Sequence, residues 1–291
     1  MEYKRLGQTG LKVSVIGFGG AGLGLQRYLT PEDRTSEAFQ AEAIAALKLA
    51  ADEGVNYFDT APGYGNGRSE RLIGRGLADR REKVHIGTKY VYQPNKPAGE
   101  YTEELAWSLE RLQTDRVELL QLHGSTFTDA RAEEILTCGV LDWADEMKAR
   151  GCCRFTGLTA EAPSGGLERL IRSGRFDTLQ VAYNLIYQSC CDYQRRPFGV
   201  IPLARQMGMG ILTMRTPTSG FLPRLLSTEL PDLDEARIVR MAIKFVLSTP
   251  EVDCALVGMD SREVVRRNVA LAGDPADRYD LRQLHERYPY G

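Results

Sequence analysis

Four residues near the ends of short apolar runs are of types that together could transfer a proton. The stretch NYFDTAPGYGNGRSE, residues 56–70, places Asp59 at the end of an apolar run and Tyr64 five residues later. The run VHIGTK ends at Lys89, and the run VELLQLH ends at His123. Each residue alone has an ordinary structural explanation, because most polar residues at the edge of a fold have no chemical role. The combination of the four points to chemistry.

Each member of this group has a chemical reason to be there. A tyrosine is a poor proton donor at neutral pH, because its ordinary pKa is about 10. A neighbouring ammonium such as that of Lys89 would stabilise the phenolate of Tyr64 and lower that pKa. Asp59 would pair with the lysine, and His123 would offer an imidazole N–H to a carbonyl oxygen. The group would protonate a carbonyl oxygen while hydride reaches the carbon, and since no side chain supplies hydride, a nicotinamide cofactor is predicted.

The elements that must position these residues are short apolar runs separated by segments of helical period. The eight runs are 13–19, 55–60, 84–89, 117–123, 153–159, 178–183, 210–215 and 254–259. Alternating strands and helices predict a mainly parallel sheet with helices outside it. Eight such units favour a (β/α)8 TIM barrel over an open doubly wound sheet, because closure leaves no exposed edge. In a barrel the C-terminal ends of the strands would gather the four residues at one rim.

The remaining organisation of the chain is simple. The opening segment EYKRLGQTGLKV, with Gly7 and Gly10 as turn residues, predicts a short N-terminal β-hairpin before the barrel. No linker or low-complexity tract interrupts the chain, so residues 1–291 are predicted to form a single barrel domain.

Composition and charge narrow the classes of function. The 291-residue chain is 43% hydrophobic and has a formal net charge of -2, and no basic stripe suggests a nucleic-acid partner. The first residues contain charges and no continuous apolar segment, and no window approaches the roughly 18 apolar residues of a membrane span. We therefore expect a cytoplasmic protein.

Cysteine and histidine patterns argue against a metal centre. We interpret the six cysteines as reduced thiols. A redox or metal role for the adjacent pairs at 152–153 and 190–191 is the alternative. The histidines His85, His123 and His285 show neither HxH nor HExxH spacing. No metal site is predicted, and a metal-dependent barrel hydrolase is disfavoured.

Three motifs resemble those of a known family. The segments FDTAPGYGNGRSERLIG, IGTK and LLQLH are similar to the core motifs of the aldo-keto reductases, and the resemblance extends over essentially the whole chain. It implies a (β/α)8 barrel that uses NADPH, sometimes NADH, to reduce aldehydes and ketones. It also implies that Tyr64 is the general acid/base, that His123 orients the substrate carbonyl, and that Asp59 and Lys89 tune Tyr64.

The same resemblance implies which residues hold the dinucleotide. Gln180 matches a glutamine that binds the nicotinamide carboxamide, whereas Thr159 and Ala160 replace a serine–asparagine pair. Met214 stands where an aromatic residue usually covers the nicotinamide ring. Arg215 and the segment TPTSG are assigned to the pyrophosphate, and LVGMDSREVVRRN resembles the adenosine-binding loop and helix. The implied contacts are Thr159, Gln180, Met214, Arg215, Thr216, Pro217, Gly220, Gly258, Met259, Arg262, Arg267 and Asn268.

The resemblance to this family favours NADP as the cofactor, with NAD as the alternative. Arg262, Arg266 and Arg267 would contact the 2′-phosphate or, alternatively, form a solvated helix face. The segment GFGGAGLG is not a GxGxxG loop in a strand-turn-helix context. Its glycines are expected to let the first loop pass close to the nicotinamide and the substrate.

Three tyrosines are expected near the substrate. Tyr28, Tyr90 and Tyr92 would line the entrance, where their hydroxyls would suit a polyhydroxylated carbonyl compound or a sugar, or they would only cover the barrel rim. The leading hypothesis is an NAD(P)-dependent oxidoreductase of a small aldehyde, ketone or sugar carbonyl. The alternative is a cofactor-binding regulatory or interaction subunit with the same fold, and the intact group of four residues favours the enzyme. The oligomeric state is not predicted.

Overall fold

Strands and helices alternate along the chain after a short hairpin. The computed structural model describes residues 1–26, 33–192, 199–230, 232–275 and 278–283. Within these ranges the strands are β1 (Tyr3–Arg5), β2 (Lys12–Ser14), β3 (Ile16–Gly19), β4 (Tyr57–Asp59), β5 (His85–Tyr90), β6 (Val117–His123), β7 (Cys153–Ala160), β8 (Thr178–Ala182), β9 (Gly210–Met214) and β10 (Cys254–Val257). The α-helices there are α1 (Ala21–Gly24), α2 (Glu37–Asp52), α3 (Arg68–Leu77), α4 (Ala98–Leu112), α5 (Asp129–Thr137), α6 (Val140–Ala149), α7 (Gly165–Arg172), α8 (Val200–Gln206), α9 (Phe221–Glu229), α10 (Glu235–Leu247) and α11 (Arg262–Ala272).

Eight parallel strands close into a barrel. Their order around the barrel is β10-β3-β4-β5-β6-β7-β8-β9, so each strand pairs with its neighbours in sequence and β10 returns to β3. Every barrel strand has two neighbours, which satisfies the backbone groups that an open sheet would leave at its edges. The (β/α)8 barrel predicted from the sequence is confirmed.

The N-terminal hairpin covers the N-terminal end of the barrel. Strand β1 pairs antiparallel with β2, and Gly7 and Gly10 both have positive φ in the turn between them. The apolar side chains of Leu6, Leu11 and Val13 are buried in one cluster with residues of the barrel interior. The first barrel strand therefore begins at Ile16 and not at residue 13 as predicted, because residues 12–14 form the second strand of the hairpin and pair with β1.

Side chains of the strands alternate between the barrel interior and the layer of helices. In β5, Lys89 faces the interior and bonds to Asp59, whereas the neighbouring Tyr90 packs among the residues beneath the helices. This alternation decides which residues of each strand can reach the site. None of the helices in the described ranges combines the length and apolarity needed to cross a membrane.

Candidate active site

The four residues singled out for proton transfer meet at the C-terminal end of the barrel. Asp59 is the last residue of β4, Lys89 lies near the end of β5, and His123 ends β6. Tyr64 follows in the loop between β4 and α3. A cavity of about 520 Å³, hereafter the main cavity, is lined by Asp59, Tyr64 and His123 together with residues after the first and the last barrel strands.

Lys89 and Asp59 form a buried ion pair beneath Tyr64. The Nζ atom of Lys89 donates to both carboxylate oxygens of Asp59 at 2.7 and 2.8 Å and to the carbonyl oxygen of Thr60 at 2.6 Å. The same Nζ lies 5.1 Å from the centre of the Tyr64 ring. Lys89 is only 2% exposed and Asp59 only 3%. Three acceptors around one nitrogen are what an ammonium requires.

Burial and mutual attraction shift the pKa values of Lys89 and Asp59 in opposite directions. Burial lowers the pKa of Lys89 and raises the pKa of Asp59, and it is the larger effect on each. The charge of each partner opposes the shift in the other. The pair keeps its charges only as long as both members and their hydrogen bonds are present.

Two glutamines complete the surroundings of the Asp59 carboxylate. Gln121 donates from Nε2 to Oδ1 at 3.2 Å, and Gln180 donates from Nε2 to Oδ2 at 3.5 Å. Both glutamines are fully buried. Sequence reasoning did not single out Gln121, although it lies two residues before His123 and therefore on the same face of β6.

His123 is a neutral imidazole beside Tyr64. The two rings meet edge to face, with their centres 6.1 Å apart. Burial and the charge of Lys89 lower the pKa of His123 to about 4. At neutral pH the ring therefore carries one N–H donor and one acceptor nitrogen.

The loop that carries Tyr64 is fixed by residues of the first barrel loop. Gly65, Asn66 and Gly67 all have positive φ, which folds the chain back tightly after Tyr64. Ser69 at the start of α3 accepts from Thr60 Oγ1 and donates to the carbonyl oxygen of Gly20, both at 2.8 Å. These bonds join the loop after β3 to the loop after β4.

Most of the predicted cofactor residues line the main cavity. They are Gln180, Met214, Arg215, Thr216, Pro217, Gly220, Gly258, Arg267 and Asn268. Two of them present buried oxygen atoms, Gln180 Oε1 and Thr216 Oγ1, for which the described residues provide no hydrogen-bond partner. Buried polar atoms are rarely left unpaired in native proteins. The cavity therefore has the character of a site for a polar ligand.

Three other predicted cofactor residues do not line the main cavity. The Thr159 hydroxyl donates to the carbonyl oxygen of Leu122 at 3.2 Å and accepts from the N–H of Gly124 at 3.1 Å. Met259 is buried in the core between barrel and helices. Arg262 forms an ion pair with Glu42 of α2 at 2.8 Å. Each of these side chains is already engaged in structural contacts.

Of the three tyrosines predicted near the substrate, the two that the structure describes, Tyr90 and Tyr92, do not line the main cavity. Tyr28 lies outside the described residues. The Tyr90 ring packs against Trp143, with centres 5.1 Å apart, because alternation along β5 turns it away from the barrel axis. The guanidinium of Arg131 lies over the Tyr92 ring, 5.3 Å from the ring centre.

The structure adds two ion pairs to the main cavity that no sequence motif indicated. Arg34, which is 3% exposed, pairs with Asp260 at 3.1 Å and joins the segment before α2 to the loop after β10. Arg215 pairs with Glu161 at 2.6 Å at the mouth of the cavity. Within the described ranges, no group of three histidine, cysteine or acidic side chains could hold a metal ion.

Comparisons with known proteins agree with this geometry. A protein-family model described as the aldo/keto reductase family matches residues 15–236. The chain is 28% identical to an L-galactose dehydrogenase from Arabidopsis thaliana, in an alignment that covers 93% of this chain and 88% of that protein.

Solved structures give the same result. The fold is similar to that of a putative aldo-keto reductase from Pseudomonas aeruginosa, with a TM-score of 0.68, 30% identity and 93% of both chains covered. It is also similar to an aldo-keto reductase from Klebsiella pneumoniae solved in complex with NADPH, with a TM-score of 0.74 and 22% identity, covering 100% of this chain and 97% of that one. At the latter identity the likeness shows the fold alone.

Proposed function

This chain belongs to the aldo/keto reductase family, and we propose that it transfers hydride between a nicotinamide cofactor and a small aldehyde, ketone or sugar carbonyl, with Tyr64 as general acid/base. The observation that carries the proposal is the Lys89 ammonium, held by Asp59 and lying 5.1 Å from the centre of the Tyr64 ring. A charged pair buried at the base of a polar cavity is costly to maintain, which favours a chemical role.

Each residue of the site has a separate role in the proposed proton transfer. In carbonyl reduction the neutral His123 donates its N–H to the substrate oxygen and so orients the carbonyl. Tyr64 gives its hydroxyl proton to that oxygen, and the ammonium of Lys89 stabilises the phenolate that remains. Asp59 keeps the ammonium in place, and the two glutamines hold Asp59. A bound nicotinamide supplies the hydride that no side chain can provide.

We propose NADP as the cofactor, with NAD as the alternative. Gln180 Oε1 would accept from the carboxamide, and Thr216 Oγ1 would donate to a phosphate oxygen, which would satisfy both unpaired atoms. Arg267 lines the cavity beside Asn268, whereas Arg262 is held by Glu42. Of the arginines considered for the 2′-phosphate, we therefore assign Arg267.

A sugar is our preferred substrate class within the small carbonyl compounds. The relative named as an L-galactose dehydrogenase aligns over most of both chains. The mouth of the cavity carries ionised side chains, Glu161 and Arg215, that can hydrogen-bond to hydroxyl groups. A cytoplasmic location remains a prediction from the sequence.

Replacement of Tyr64 by phenylalanine tests the assigned proton donor. Tyr64→Phe should lower kcat for aldehyde reduction by at least about 10²-fold, because general acid catalysis is lost. The dissociation constant for NADPH should be unchanged, as measured by nicotinamide fluorescence. Tyr279→Phe, at an exposed tyrosine outside the cavity, is the matched control and should retain full activity. Full turnover by Tyr64→Phe would exclude Tyr64 as the proton donor.

A further inference from the structure

We propose that the Glu161–Arg215 ion pair sets the charge preference of the substrate site, admitting neutral hydroxylated carbonyl compounds and rejecting anionic ones. This inference rests on the proposed function and goes beyond it, since it assigns substrate selection to two residues. It also gives Arg215 a role different from the pyrophosphate contact implied by family resemblance.

Glu161 is held at the side of the cavity where His123 lies. In the pairing of β6 with β7, Thr159 stands opposite His123, and Glu161 follows two residues later. The N–H of Glu161 donates to the carbonyl oxygen of Ser125 at 2.7 Å, which continues the pairing beyond the end of both strands. This bond fixes the backbone of Glu161 next to the segment that follows His123. Both residues line the main cavity.

Arg215 reaches Glu161 from β9, which is separated from β7 by the single strand β8. It follows β9 with φ of +58°, a left-handed conformation that costs free energy for a residue other than glycine. The side-chain amide of Asn184 donates to the carbonyl oxygen of Arg215 at 2.9 Å and holds that backbone turn. The guanidinium then lies 2.6 Å from the Glu161 carboxylate. A strained residue held in place at a cavity mouth favours a functional role over a purely structural one.

Stability does not account for this ion pair. The side chains of Arg215 and Glu161 are 41% and 46% exposed, and pairs exposed to this degree contribute little to folding. Their charges do, however, define the potential that a substrate meets at the mouth. The carboxylate and the guanidinium neutralise each other, so an anionic substrate would lose hydration at the mouth and gain no net attraction in return. A neutral polyol can donate hydroxyl hydrogens to Glu161 and accept from Arg215.

The test compares two aldehydes, 4-formylbenzoate and its methyl ester, which differ in charge and by one methyl group. Glu161→Gln keeps the shape of the side chain and removes its charge. The ratio of kcat/KM for the anion to that for the ester should rise about five- to tenfold. The double variant Glu161→Gln with Arg215→Gln should lose this gain. Glu82→Gln, which removes a carboxylate paired with Arg116 far from the cavity, is the control and should leave the ratio unchanged.

A binding measurement separates failure of this inference from failure of the proposed function. Terephthalate, an unreactive dianion, should bind to Glu161→Gln and not to the double variant in calorimetric titrations of the full chain. This arm needs no turnover, so it decides the inference even when the wild-type protein reduces neither aldehyde. An unchanged charge ratio together with no gain in terephthalate binding would overturn the inference. If Glu161→Gln gained affinity for NADPH and none for terephthalate, the inference would also be overturned, because Arg215 would then be assigned to the pyrophosphate.

Discussion

At the scale of single residues, the buried pair of Asp59 and Lys89 depends on its hydrogen bonds. Removing two charges from water costs more free energy than their attraction returns unless the remaining lone pairs are satisfied. Asp59 accepts two bonds from Lys89 and one each from Gln121 and Gln180. Gln121 is therefore expected to be a positioning residue that acts through Asp59.

Loss of the Gln121 amide should alter the pH dependence of turnover. Gln121→Leu removes a donor to the ionised carboxylate, so the pKa of Asp59, which burial already raises, should rise further. The acidic limb of the kcat/KM profile should move upward by roughly one pH unit, the size expected for one hydrogen bond to a charged group.

The control for this prediction is Gln206→Leu, at an exposed position of α8. That variant should reproduce the wild-type profile. An unchanged acidic limb in a folded Gln121→Leu protein would show that Gln121 does not support Asp59.

At the scale of elements, the loop that presents Tyr64 relies on a contact between two glycines. A Cβ atom added at Gly24 would lie 2.1 Å from the carbonyl oxygen of Tyr64, and one added at Gly65 would lie 2.1 Å from the carbonyl oxygen of Gly24. Real side chains do not approach backbone so closely, so the two loops can touch only without side chains at these positions. The contact between Gly24 and Gly65 therefore positions Tyr64, a role that the sequence did not indicate.

Gly24→Ala should displace the backbone of Tyr64, which should lower kcat strongly and the free energy of unfolding moderately. We expect kcat to fall roughly 10- to 100-fold, because a shift of about 1 Å in a catalytic group has an effect of that size. The free energy of unfolding should fall by about 1–3 kcal/mol. Both are measurable, by aldehyde turnover and by urea denaturation.

Gly63→Ala provides a control in the same loop. No atom lies within 4 Å of a Cβ added at Gly63, and its φ is not positive. This variant should match the wild type in both measurements. Equal activity of the Gly24 and Gly63 variants would show that the glycine contact does not position Tyr64.

At the scale of the whole molecule, folding changes the proton affinity of His123. Burial and Lys89 lower its pKa from 6.5 to about 4 in the folded chain. Between these two values the unfolded chain binds more protons than the folded one. The contribution of His123 to the free energy of unfolding is therefore complete above about pH 6.5 and decreases as the pH falls toward 4.

Replacing His123 should make stability less sensitive to acid. Between about pH 7.5 and pH 5, the wild-type protein should lose roughly 2 kcal/mol more stability than His123→Gln, as measured by urea denaturation at each pH. His85, whose pKa burial also lowers, remains in both proteins and gives the same slope to each. Equal losses in the two proteins would contradict the assigned shift.

Some features of this protein follow from sequence alone, because they depend on local pattern. Hydrophobic periodicity and the alternation of apolar runs with helical segments predicted the eight-stranded barrel, which the structure confirms. The spacing of FDTAPGY, IGTK and LLQLH identified the family, which the match over residues 15–236 confirms. It also located Asp59, Lys89 and His123 at strand ends, since each motif closes an apolar run.

Tertiary structure alone decided which other residues share the cavity. Tyr90 and Lys89 are adjacent in sequence, yet alternation within β5 places Lys89 inside the barrel and Tyr90 under the helices. The partnership of Arg215 with Glu161 joins residues 54 positions apart, and no local pattern encodes it. Contacts between distant loops depend on how strands are ordered and staggered around the barrel, and that information exists only once the barrel has closed.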